Sequence, residues 1–190
     1  SDSDTSALIV TAVVFHLVVL VLFKMGAFLI LSMLEAEGKG HRMEDLHGLG
    51  RRDPVIAASM FVFMLSLAGV PPLSGFLSKL LMINGIVNVS AGSGSASAST
   101  ALSWAQGVDP VFWLAVAIVL NSALSLFYYL RIVLVMFFES PATENPLKRV
   151  PSLRMAIIAC ALLTLLFGIG PLSNSLLDMV GSAVDSFMGS

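Results

Sequence analysis

This sequence is poor in charge. Only 12% of its 190 residues are Asp, Glu, Lys or Arg, while 57% are hydrophobic. A soluble domain carries about a quarter charged residues and about half apolar ones. The apolar residues also run in long blocks rather than in short amphipathic ones. A net charge of −2 gives no basis for nucleic-acid binding. Cysteine is reduced to Cys160, which can form neither an internal disulfide nor a multi-cysteine metal site and reads as packing within its apolar run. The sequence has no G-x-G-x-x-G, P-loop or H-E-x-x-H signature, so nicotinamide, ATP, zinc and iron–sulfur binding lack support. The opening SDSDTS has no basic n-region, so the first apolar block reads as a span rather than a signal peptide. The natural protein is expected to extend further toward its N-terminus.

What the sequence does have is hydrophobic length. A hydrocarbon core about 30 Å thick takes roughly 20 apolar helical residues. The blocks predict about five spans, at 7–34, 55–70, 73–89, 111–138 and 155–170. The second and third are short and meet at Pro71-Pro72, where neither proline can donate an intrahelical hydrogen bond. Residues 35–54 form a polar loop, 91–100 a Gly/Ser/Ala connector and 139–152 a second polar loop. The tail from Leu172 is weakly amphipathic and is expected along the interface. Helices are required because backbone groups cannot go unpaired in lipid, and the alternation of barrel strands is missing. The expected fold is therefore all-α, one polytopic transmembrane bundle over 1–190, with a broken helix pair around Pro71-Pro72. Basic residues fall in both main loops, so charge leaves the orientation open.

A few polar residues interrupt the spans. Lys79 lies near the centre of the third, where insertion scales put the cost of a lysine at roughly 2.5–3.5 kcal/mol. A lysine kept there faces the bundle interior, a partner or water, and can load and unload a proton. Gly69, Pro71, Pro72 and Gly75 weaken the helix beside it, and broken helices at membrane depth line cavities or ion paths. The plainer alternative is a snorkelling lysine or a structural ion pair. Lys24 lies near the centre of the first span, with His16 two turns earlier on roughly the same face, a possible edge of a proton relay. Tyr128, Tyr129 and Arg131 fit an interfacial anchor or a supporting role, and Asn121, Ser122 and Ser125 fit bonds between helices.

Two stretches carry a family resemblance. RRDPVIAASMFVFMLSLAGVPPLSGFLSK (51–79) resembles the most distinctive segment of the antiporter-like membrane subunits of respiratory complex I. These are similar in turn to subunits of multisubunit cation/proton antiporters and membrane-bound hydrogenases. Within that group, LNSALSLFYYLRIVLVMFFE (120–139) is similar to the N-type subunits, in which Tyr-Tyr-Leu-Arg is typical. FHLVVLVLFK (15–24) departs toward the L-type pattern, with a lysine at Lys24 where many N subunits keep a neutral residue.

The resemblance implies the C-terminal portion, about helices ten to fourteen, of a proton-translocating subunit of a redox-driven NADH (or related donor):quinone oxidoreductase. It implies that Lys79 is the terminal proton-handling residue on a broken helix. No cofactor is expected in this chain; flavin, iron–sulfur and quinone belong to partner subunits. The expected partners are other membrane subunits of a complex I-like assembly, and the expected location is the cell or inner membrane, multi-pass. Without the family's first-half glutamate and lysines, the chain alone is not expected to transport. The alternatives are a subunit of a Na+/H+ antiporter or hydrogenase, and a non-transporting membrane scaffold. The scaffold reading predicts Lys24 and Lys79 paired with carboxylates or capped by carbonyls.

Overall fold

A computed structural model describes residues 2–40, 42–92, 110–141, 145, 147, 150–169 and 171–188. Among them, α1 (Asp2–Glu35) is followed by a 3-10 turn (Met43–Leu46), the short α2 (Leu49–Arg52) and α3 (Pro54–Ala68). Then come α4 (Ser74–Gly92), α5 (Pro110–Phe138), α6 (Pro151–Leu166) and α7 (Pro171–Met188). Over Ala7–Glu35 and Trp113–Phe138, α1 and α5 are long and apolar enough to cross a bilayer. Most of the expected connector after Gly92, and Lys148 and Arg149 of the second loop, lie outside the described residues.

α1 is the hub, packing against α3, α4, α6 and α7. Its buried positions, Ala12, Phe15, Val19, Phe23, Ala27, Ile30 and Leu34, recur every three or four residues and form one stripe. Leu8, Leu17, Val21 and Phe28 are exposed elsewhere on the helix. Between apolar helices in lipid, association rests on close packing rather than on escape from water. Gly26 permits it, since a Cβ there would strike the Phe63 ring.

Three contacts set the path of the next two helices. Phe63 of α3 meets Gly26, Ser78 of α4 bonds His16, and Gly85 of α4 faces Ile9. The chain therefore descends beside α1 in the opposite direction, first as α3 and then as α4, with a gap at 69–73. At 15 residues α3 is only about 22 Å long, too short for the hydrocarbon core by itself. The two short helices, expected from the sequence as separate spans at 55–70 and 73–89, read instead as successive segments of one transit, because both lie end to end along α1. α5 packs on both of them, with Phe61 and Phe137 edge to face at 6.1 Å, and exposes Trp113, Leu120, Leu124 and Phe127. Exposed apolar surface on this scale marks a lipid or protein contact.

Local chemistry moves several boundaries away from the sequence expectation. The 35–54 loop is partly folded: Leu46 and Leu49 are buried, and Gly48 N–H donates to Val135 O of α5. Arg52 of this segment pairs with Glu37 at 2.7 Å. α6 begins at Pro151 rather than Met155, because proline suits the first helical turn and Arg154 finds a partner in Asp53. Asp53 also caps α3, its Oδ1 accepting from Val55 N at 3.2 Å and Ile56 N at 3.3 Å. The tail forms α7 and packs along α1 with Val180 and Val184 buried.

Candidate functional site at the helix interruption

A helix that stops inside a bundle leaves its last four carbonyls without helical partners. At the end of α3 these belong to Leu65, Ser66, Leu67 and Ala68. Gly69, in the left-handed conformation at φ 82°, donates its N–H to Leu65 O and Ser66 O, and Val70 N–H also reaches Leu65 O. That leaves Leu67 and Ala68. Lys79, one turn into α4, donates from Nζ to both, at 3.0 Å to Leu67 O and 3.3 Å to Ala68 O. The amine lies where the helix dipole favours a cation. Lys79 is thus held by carbonyls, and no carboxylate bonds it among the described residues.

The start of α4 is handled by serines. Gly75 N–H donates to Ser66 Oγ at 3.1 Å, and Ser66 Oγ lies 3.4 Å from Ser74 Oγ. Ser66, Ser74 and Ser78 are fully buried. Gly75 allows this closeness, because a Cβ on it would collide with Ser66 O. Gly168, in the turn after α6, presses on the break in the same way, against Pro72 O and Leu73. At Gly69 an added Cβ would lie 3.1 Å from Lys79 Nζ. Gly69, Pro71, Pro72 and Gly75, singled out in the sequence, all fall at this interruption.

His16 approaches from α1, with Nδ1 2.9 Å from Ser78 Oγ. It is half-buried and within electrostatic range of both Lys79 and Lys24. Lys24 is exposed and borders a cleft of about 400 Å³ that is also lined by Arg42, Met60, Met64, Leu67 and Tyr129. Leu67 connects the two places, since its carbonyl holds Lys79 and the residue also lines the cleft. His16 and Lys79 are therefore joined through α4, and Lys24 stands two turns further along α1.

The polar residues of α5 are placed differently. Ser122 Oγ bonds Ile118 O at 2.8 Å and Ser125 Oγ bonds Asn121 O at 2.7 Å, so both hydroxyls turn back onto their own helix instead of bridging to another. Asn121 and Arg131 are exposed, and Tyr128 is exposed with its ring edge to face against Phe127 at 5.8 Å. None of the three reaches Lys79 or His16 through a described hydrogen bond. Ser66, Ser74 and Ser78 carried no expectation from the sequence. The available signal was three serines flanking a Pro-Pro break and adjoining the intramembrane lysine.

Comparison with known proteins places the chain in a family. The family described as NADH:quinone oxidoreductase/Mrp antiporter, TM, matches residues 5–103, and the chain belongs to that family. It is 32% identical over 191 residues to NADH-quinone oxidoreductase subunit N of Cupriavidus taiwanensis, an alignment covering 100% of this chain and 34% of that protein. Among solved structures, respiratory complex I from Thermus thermophilus with bound aureothin contains a chain 29% identical, with a TM-score of 0.63 over 89% of this chain and 34% of its own. The Mrp complex from Dietzia sp. shares the fold at a TM-score of 0.69 and 24% identity, over 93% of this chain and 37% of its own. The chain thus spans about a third of the length of the curated relatives it resembles.

Proposed function

We propose that this chain forms part of a proton-translocating, antiporter-like subunit of a redox-driven NADH (or related donor):quinone oxidoreductase. The observation that carries the proposal is an amine, Lys79 Nζ, held on the open carbonyls of an interrupted helix beside His16. Lysine can lose its proton where arginine cannot. The broken helix leaves the amine two acceptors whose dipoles favour its charged form. His16 and Lys24 continue the line of titratable groups along α1. Redox chemistry, with its flavin, iron–sulfur centres and quinone, belongs to partner subunits, and this chain contributes the protonic path.

The test is Lys79→Ala in the complete complex, with proton pumping and electron transfer measured side by side. Pumping is expected to fall while the complex still assembles. Unchanged pumping would defeat the proposal.

One observation favours the scaffold reading, because Lys79 is capped by carbonyls as that reading predicts. Lys79→Arg separates the two. Arginine keeps charge and donors, so a scaffold would tolerate it, whereas a group that must release a proton would not. A sodium/proton antiporter or hydrogenase subunit shares the fold, and partners co-purifying with flavin and iron–sulfur centres would rule in favour of the oxidoreductase.

A further inference from the structure

His16 makes one described hydrogen bond to α4, and the hydrogen-bond count there decides where its proton sits. Ser78 Oγ lies 2.9 Å from His16 Nδ1 and 3.1 Å from Gly75 O. A carbonyl oxygen can only accept, while a serine hydroxyl has one proton to give and lone pairs to accept with. If Nδ1 carries the imidazole proton, it donates to Ser78 Oγ and Ser78 donates onward to Gly75 O. Both bonds are made, and they polarise one another in series. If Nδ1 is bare, the Ser78 proton must turn to it, and the bond to Gly75 O is given up. The first arrangement keeps two hydrogen bonds and the second keeps one. Gly75 O would keep its bond within the α4 ladder, so what is lost is the second, side-chain bond, and with Ser78 fully buried no water is at hand to replace it.

We infer that Ser78 is a positioning residue that fixes neutral His16 as the Nδ1–H tautomer, leaving Nε2 as the atom that takes up and releases a proton. This rests on the proposed proton pathway for its significance, though not for its geometry. Uptake from a neighbouring ammonium breaks one lysine N–H bond and forms one Nε2–H bond. The product is a neutral amine and an imidazolium whose Nδ1–H still points at Ser78. Release to the next acceptor breaks that same Nε2–H bond and restores the starting tautomer, with no turn of the ring. The same hydroxyl ties His16 to the first turns of α4, the helix whose Lys79 side chain closes α3.

The test uses the intact complex labelled with 15N-histidine, with His16 assigned by difference from a His16→Gln variant. Nitrogen NMR should show neutral His16 protonated at Nδ1 and bare at Nε2. Ser78→Ala should move the proton toward Nε2 and lower pumping several-fold, while Ser78→Thr, which keeps the hydroxyl, should retain the wild-type spectrum. A wild-type His16 protonated at Nε2, or a Ser78→Ala spectrum identical to wild type, overturns the inference, and the first needs no variant at Ser78 to fold. Normal pumping by Lys79→Ala with the Nδ1 assignment intact would instead sink the pathway reading and leave the tautomer standing.

Discussion

Lys79 Nζ lies 3.0 Å from the carbonyl oxygen of Leu67, so a side chain of α4 completes the last turn of α3. The lysine therefore has a structural duty at the same atom to which a protonic one is proposed. This dual role makes the choice of substitution decisive.

Lys79→Met removes the only described donors to Leu67 O and Ala68 O. A buried polar group left unsatisfied costs about 1–3 kcal/mol, and Lys79 is only half-buried, so water can recover part of that. The expected result is faster amide hydrogen exchange across 63–79 together with lost pumping. Lys79→Arg should keep the exchange protection and still lose pumping. Protected amides with normal pumping in the arginine variant would show that release of the lysine proton is unnecessary.

The glycines of the break and of the helix faces should differ sharply in tolerance. Gly75→Ala drives a Cβ into Ser66 O, a backbone atom that cannot swing away, and overpacking of that kind costs roughly 1–3 kcal/mol or more. Gly69→Ala adds a left-handed backbone at φ 82°, worth about 1–2 kcal/mol for a residue with a Cβ. Gly85→Ala meets Ile9 Cγ1 at 3.0 Å, a side-chain atom that need give by only a few tenths of an ångström, and no backbone atom nearer than 3.8 Å. Thermal melting of the purified complex should rank Gly85→Ala as mild and Gly75→Ala as severe. Equal melting points would contradict the close approach of α3 and α4.

These cases show which parts of the structure the sequence could reveal. The apolar runs and Pro71-Pro72 marked the helices and their interruption, because both depend on local composition. That α3 and α4 follow one another along α1 was not legible, since it depends on which residues meet across the bundle, such as Gly26 with Phe63. Lys79 stood out by its cost in hydrocarbon. Its carbonyl partners did not, because backbone acceptors have no side-chain signature. The serines of α5 misled for a related reason: a hydroxyl on a helix can bond its own preceding turn as readily as a neighbouring helix. Arg154 falls between the second polar loop and the last expected span, and nothing local pointed to Asp53, 101 positions earlier, as its partner.

The Asp53–Arg154 pair leads to a third prediction. Asp53 caps α3 and binds Arg154 of α6 at once, with Arg154 Nη2 3.3 Å from Oδ1. Asp53→Asn keeps a competent cap and loses the charge, whereas Asp53→Ala loses both. The cap is worth about 1 kcal/mol. The pair adds a modest amount, because the Arg154 side chain remains 29% exposed and is partly screened. Melting should therefore rank Ala below Asn below wild type. A double-mutant cycle of Asp53→Asn with Arg154→Met should show a coupling of at least about 0.5 kcal/mol. Strict additivity would mean that α3 and α6 are held together by apolar packing alone.

A comparison of buried and back-bonded serines tests the accounting at the break itself. Ser125 bonds the carbonyl of Asn121 within its own helix, an acceptor that the helix already serves, so Ser125→Ala should change stability by no more than about 0.5 kcal/mol. Ser66 is different: its hydroxyl oxygen accepts the Gly75 N–H, one of the orphan donors at the start of α4, and the site is fully buried. Ser66→Ala leaves that N–H without a partner at a cost of about 1–3 kcal/mol. The expected signature is local, with faster exchange of the Gly75 amide and little change in α5. Equal behaviour of the two alanine variants would mean that water reaches the interruption freely, and the serines could then no longer be credited with holding the ends of α3 and α4 together.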